Sequence, residues 1–128
     1  MKEKETIYTE RAPEAIGPYN QAVVVEDTIY ISGQIGLKPE SMEFAGSDIE
    51  SQAKQVMENL KAILEEAGSS FGQVIKISIY LDDMDNFSSV NKIYGSYFSD
   101  DSLPSRETVA VKTLPKNALV EISCIAYR

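Results

Sequence analysis

Pro104-Ser105-Arg106 opens one β-like run, and Glu121 stands fifteen residues later in the next. An arginine is a permanent cation whose planar fork matches a carboxylate, and a glutamate can hold or move a proton. If the two runs form a hairpin about a turn at Pro115 to Ala118, Arg106 and Glu121 lie near each other across it. Such a pair is a structural salt bridge or an active site, and spacing alone favours the salt bridge. Two other stretches have types suited to chemistry. Gly17-Pro18-Tyr19-Asn20-Gln21 is a turn that sets an aromatic ring and two amides just before a strand. In Ser32-Gly33-Gln34-Ile35-Gly36, two glycines end a strand and allow a close backbone approach.

Each of these residues also has a plainer structural reading. Tyr19 suits a core or interface ring, Ser32 and Gly33 a simple strand end. Asn91, four residues after Phe87 on a helical stripe, suits a satisfied structural amide. Cys124 shares its face with Val120 and Ile122, as a small buried hydrophobe would. Asp82-Asp83-Met84-Asp85 reads as a solvated turn with an N-cap rather than a cation site.

Composition narrows the chemistry. The 128 residues carry 12 basic and 20 acidic side chains, a formal charge of −8, with one cysteine and no histidine. A Ser-His-Asp triad, a Cys-His pair and a histidine-ligated zinc are therefore out of reach. The lone cysteine excludes an intrachain disulfide and multi-cysteine metal sites. Proton transfer falls to carboxylates, Tyr, Lys, backbone or water. The scattered basic residues argue against nucleic acid, which is held by clustered Lys and Arg. Length suits one domain over 1–128. No apolar run approaches a membrane helix, the N-terminus is too charged for a secretory signal, and a reducing cytoplasm is expected.

The elements that must position these residues follow from periodicity. Ile49, Ala53, Val56, Met57, Leu60, Ile63, Leu64 and Ala67 recur with helical period between Ser47 and Gly68. Ser47 with Glu50 reads as a capping box and Gly68 as a left-handed C-terminal cap. A second helix is expected from about Asn86 to Phe98, N-capped by Asp85, with Phe87, Val90 and Tyr94 on its stripe. Val23 to Val25 and Thr28 to Ser32 flank a tight turn at Glu26-Asp27. Val74 to Leu81 alternates, with Ile75, Ile77, Ile79 and Leu81 on one face. Arg106 to Lys112 and Leu119 to Tyr127 are the last strands, and Thr6 to Tyr8 adds an edge. The order β-β-β-α-β-α-β-β implies an α+β fold, one mixed sheet with two helices packed on one face. The last strand puts Glu121, Ser123, Ile125 and Tyr127 on the other face. That half-apolar surface calls for a cover, most simply further copies of the chain.

Taken in order and spacing, several segments resemble the RidA family (YjgF, L-PSP), the reactive-intermediate deaminases. They are Ala15-Ile16-Gly17-Pro18-Tyr19, Ile31-Ser32-Gly33-Gln34, Val90-Asn91 with Tyr97-Phe98, and Pro104-Ser105-Arg106 through Leu114-Pro115-Lys116 to Val120-Glu121-Ile122. The resemblance implies a chorismate-mutase-like homotrimer with clefts between subunits. It implies hydrolysis of enamines and imines, such as 2-aminoacrylate and 2-imino acids, to 2-keto acids and ammonia. Arg106 would hold the substrate carboxylate and Glu121 would position or activate the water. Tyr19, Ser32, Gly33, Asn91 and Thr108 would line the pocket, with a backbone carbonyl near 108 sharing the work. No metal or organic cofactor is implied, and the partners are small imino and keto acids, with no membrane. The same pocket would serve a non-catalytic, carboxylate-binding regulatory trimer; an endoribonuclease, as attached to some relatives, sits poorly with the charge. Two positions depart from the family pattern. Glu107 stands where a small or apolar residue is common, raising competition for Arg106, and Thr108 stands where many deaminases have Cys. Strand parity turns Glu107 away from Arg106 and keeps Thr108 on its face.

Overall fold

A computed structural model describes residues 2–128. The chain runs β1 (Lys4–Ile7), β2 (Ala22–Val25), β3 (Thr28–Gln34), α1 (Ile49–Glu66), β4 (Val74–Leu81), α2 (Phe87–Gly95), β5 (Ser105–Ala110) and β6 (Val120–Tyr127). This is the expected order, in one six-stranded sheet arranged β1-β2-β3-β6-β4-β5. β4 and β5 are parallel and every other neighbouring pair is antiparallel. Both helices pack on the same face. Val56, Met57, Leu60 and Ile63 of α1 lie fully buried with Ile29, Ile77, Ile79 and Ile122 of the sheet. Among the described residues no helix is long and apolar enough to cross a membrane.

The expected hairpin between the last two strands does not form. β5 lies at the sheet edge against β4, while β6 runs between β3 and β4. Parallel strands need a long crossover, and α2 with its flanking turns supplies one between β4 and β5. The segment after β5 passes the end of β4, where the Val111 amide donates to the Leu81 carbonyl at 2.8 Å. It then enters β6 on the far side of β4.

Smaller expectations are corrected by local hydrogen bonding. Helix α1 is capped by Asp48, not Ser47, because the Asp48 carboxylate accepts both the Ser51 amide (2.9 Å) and the Ser51 hydroxyl (2.7 Å). Its C-terminus is as expected: Gly68 has φ +82°, its amide donates to the Glu65 carbonyl, and the Ser69 amide donates to the Leu64 carbonyl. That is the paired closure in which a left-handed glycine satisfies the last carbonyls. Before α2, Asp83 rather than Asp85 caps, its carboxylate accepting the Asp85 amide of a short 3-10 turn at 2.8 Å. The helix ends at Gly95. Tyr97 and Phe98 follow on shorter-range turn bonds, stacked edgewise on Phe71 at 5.4 and 5.1 Å. In β4 a bulge pairs Val74 with Ala126 and Lys76 with Ile125. The extra residue, Ile75, is thrown off the core face and is 46% exposed. The first strand is Lys4–Ile7 rather than Thr6 to Tyr8, and β5 stops at Ala110.

The face away from the helices is partly apolar. One row across it reads Val23, Tyr30, Ile125, Lys76, Ser105, and another carries Glu121, Tyr80 and Val109. Tyr30, Val109 and Tyr127 are each nearly half exposed there.

Candidate functional site

Arg106 opens β5 in register with Ile77, whose side chain is buried under the helices. Side chains in register on adjacent strands share a face, so Arg106 points to the helix side, at the rim of the sheet. There Arg106 Nη1 donates to Asn91 Oδ1 at 2.6 Å. Its guanidinium carbon lies 5.0 Å from the Tyr94 ring centre and 5.6 Å from that of Phe87. Phe87, Asn91 and Tyr94 come from one face of α2, as spacings of four and three place them. Asn91 is therefore a positioning partner rather than a buried structural amide. It fixes one edge of the fork, and the two rings support its plane by cation–π attraction. Burial pushes the Tyr94 hydroxyl above its ordinary pKa. Thr108 follows two residues on along the same face, and its Oγ1 is buried without a hydrogen-bond partner.

Glu121 belongs to the other face. It pairs with Tyr80, three residues beyond Ile77 on β4, and an odd separation along a strand reverses the face. Its carboxylate lies over Gly33 so closely that a Cβ there would sit 2.5 Å from Glu121 Oε2. Only glycine fits. The irregularity in β3 pairing between Ile31 and Gln34 lets the backbone make this approach. Burial raises the Glu121 pKa above the ordinary carboxylate value, and neither a charge nor a hydrogen bond offsets it.

Tyr19, Gly33 and Glu121 line one cavity at this end of the sheet. Tyr19 is held by its turn, its amide donating to the Gly17 carbonyl (2.9 Å) and its hydroxyl accepting the Ile16 amide (3.4 Å). Ser32 Oγ donates to the Asn20 carbonyl at 2.6 Å, which ties β3 to that turn. Ser32 thus borders the neighbouring groove with Tyr19 and Tyr30 rather than the cavity holding Glu121.

The predicted residues therefore fall into two groups. Arg106, Asn91 and Thr108 stand on the helix side of the sheet edge. Tyr19, Ser32, Gly33 and Glu121 stand at the end of β3 and β6. Glu107 takes no part in the first group, as parity predicts: its carboxylate accepts from Ser78 Oγ at 3.0 Å and pairs with Lys76 Nζ at 3.4 Å on the open face. Those contacts hold its pKa below the ordinary range, the Ser78 hydrogen bond foremost. Cys124 is buried and its thiol is pushed up to about 12, which removes it as a nucleophile.

Three buried amides brace these segments: Gln21, read from sequence only as part of its turn, and Asn59 and Gln52, which the sequence reading missed. Gln21 accepts the Thr9 amide at 2.7 Å and donates to the carbonyls of Thr9, Ala12 and Pro13, which hangs the 13–16 segment over the cavity. Asn59 donates to the carbonyls of Ile35 and Leu37. Gln52 accepts the Leu119 amide at 2.9 Å, just before Glu121. Gln52 and Asn59 are seven residues apart within the apolar stripe of α1, and polar types at core-facing positions were the available signal.

The comparisons agree with this arrangement of segments. Residues 9–128 match the family model described as Endoribonuclease L-PSP. A RutC family protein of Pyrococcus abyssi is 48% identical over 125 residues, 98% of each chain. A mouse protein named 2-iminobutanoate/2-iminopropanoate deaminase is 47% identical over 125 residues, 98% of this chain and 92% of its own. The crystal structure of RidA from an Antarctic Psychrobacter superposes with a TM-score of 0.93 at 44% identity, covering 97% and 99% of the two chains. With residues 9–128 matching the family model and the fold shared with solved members, the chain belongs to the RidA family, the family of Endoribonuclease L-PSP.

Proposed function

We propose that this protein hydrolyses reactive 2-imino acids and their enamine tautomers to 2-oxo acids and ammonia, in clefts between the subunits of a homotrimer. The observation that carries this reading is a division. The cation built to grip a carboxylate and the half-buried, unpaired carboxylate lie on opposite faces of one sheet. A small anion reaches both only where one copy's β5 edge meets the next copy's Glu121 cavity. Edge and cavity are different surfaces, so the contact is head-to-tail, and such a contact closes into a ring of three when each copy is turned by a third of a revolution from the last. The partly apolar open face gives further copies something to cover.

In such a cleft Arg106, one Nη already engaged by Asn91, offers its remaining N–H groups to the substrate carboxylate. The imine carbon then faces Glu121. Water adds to that carbon as Glu121 takes one of its protons, and the proton passes to nitrogen. The C–N bond of the tetrahedral adduct breaks, ammonia leaves, and loss of the hydroxyl proton forms the 2-oxo group. A carboxyl with a raised pKa suits this exchange, since proton transfer is most effective when donor and medium are matched. The imine is already electrophilic, so orientation and one held water supply most of the catalysis.

The test generates imines in place with an amino-acid oxidase and traps what survives with semicarbazide. The protein should suppress trapping, and Arg106→Ala should lose about 10²-fold or more in kcat/KM. Equal rates for the two proteins would refute the proposal. Saturable binding of 2-oxo acids without turnover would replace it with a regulatory carboxylate-binding role. Cleavage of RNA abolished by Arg106→Ala would replace it with the endoribonuclease role.

A further inference from the structure

The cavity that Glu121 lines is also lined by several apolar residues. It holds about 80 Å³, and its apolar lining includes Ile35, Leu37, Met42, Ala15 and Pro115. Among the described residues no lysine or arginine lines it. Its floor is rigid, because buried Asn59 donates to the carbonyls of both Ile35 and Leu37, at 3.3 and 3.0 Å. Two of its apolar lining residues, Met42 and Pro115, come from turns that carry left-handed residues other than glycine. Met42 has φ +60°. It sits in a loop closed by the Met42 amide on the Lys38 carbonyl and the Lys38 amide on the Glu43 carbonyl, both at 2.8 Å. Pro115 is presented by a turn in which Lys116 and Asn117 have φ +55° and +58°. Left-handed backbone is costly for side chains other than glycine and persists where the surroundings enforce it. Here the enforced turns place two apolar side chains in the lining of one cavity.

We infer that this cavity is a side-chain subsite, selecting 2-imino acids with aliphatic side chains of about three to four carbons, and that Met42 sets its length. The inference rests on the deaminase reading for the placement of the imine carbon at Glu121. A substrate held there by its carboxylate has one remaining substituent to place, and the apolar wall is the surface next to it. Size follows by comparison: an aliphatic cavity of about 150 Å³ takes a benzene ring, so roughly half that volume takes a propyl or isobutyl group. The three-carbon imine from alanine leaves the subsite empty, and a benzyl group overfills it.

The test compares imines generated from alanine, 2-aminobutyrate, norvaline, leucine and phenylalanine. kcat/KM should rise about three- to fourfold with each added methylene as far as norvaline or leucine, then fall for phenylalanine. Met42→Ala should shift the optimum toward phenylalanine, and Met42→Phe should bring the norvaline-to-alanine ratio toward one, with melting scans confirming that both variants fold. Ratios that are flat with chain length, or identical in all three proteins, would overturn the inference while leaving the deaminase reading intact. Calorimetric titration with the matching 2-oxo acids separates the two ideas. Affinity that rises with chain length and responds to Met42, in a protein that hydrolyses no imine, would sink the deaminase reading and keep the subsite.

Discussion

Arg106 and Glu121 face opposite sides of the same sheet, separated by strand β4, on which Arg106 aligns with Ile77 and Glu121 with Tyr80. A hairpin pairing would have made them neighbours. Their separation makes the cleft between subunits, rather than the single chain, the unit to test.

Mixed assemblies test this directly. Arg106→Ala and Glu121→Gln should each be nearly inactive. Co-refolded in equal amounts, they should recover about a quarter of wild-type activity, because about one cleft in four then combines an intact Arg106 from one copy with an intact Glu121 from the next. If both residues acted within one chain, no cleft would be intact and the mixture would stay inactive.

Burial alone raises the Glu121 pKa, and this sets the sign of its effect on stability. A carboxyl whose folded pKa exceeds its unfolded one binds its proton more tightly when folded. It therefore favours folding in acid, and that contribution is lost as pH rises through the folded pKa. Glu121→Gln should melt above wild type at pH 7, with the gap closing toward pH 4. A gap that widens on acidification would mean the carboxylate is stabilised rather than strained. The acid limb of kcat/KM should likewise lie above the ordinary carboxylate range.

Gly33→Ala should separate activity from stability. The added Cβ would sit 2.5 Å from Glu121 Oε2, the far end of a flexible side chain that can move aside. The fold should lose less than about 1 kcal/mol by denaturant titration, while kcat falls on the order of tenfold or more as the carboxylate shifts. A large stability loss with proportionate activity would contradict this.

Glu107→Ala should leave KM for anionic substrates close to wild type, since Glu107 is bound to Ser78 and Lys76 on the face away from Arg106. Its effect should appear in sedimentation, as weaker association that salt modulates, because it leaves Lys76 unpaired on the surface proposed to pack against other copies. A changed KM with unchanged association would place its charge in the cleft instead.

Much of this protein is legible as a sequence because its signals are local. The stripe on α1, the left-handed Gly68, the alternation of Ile77, Ile79 and Leu81, and the spacing that sets Phe87, Asn91 and Tyr94 on one face of α2 each depend on neighbours within a few residues. Strand parity likewise turns Glu107 away from Arg106. The bulge that expels Ile75 lay beyond it, since it turns on pairing between strands, whereas Asp48 displaces Ser47 as cap through a local bond to Ser51. Strand order is less local still. The short connection after β5 suggested a hairpin with β6, but α2 makes β4 and β5 a parallel pair and leaves the other edge of β4 open to β6. Sequence thus determined which residues could do the chemistry and which way each points from its own strand. Tertiary structure decided which of them meet, because pairing across the sheet is settled by burying the common core and not by distance along the chain.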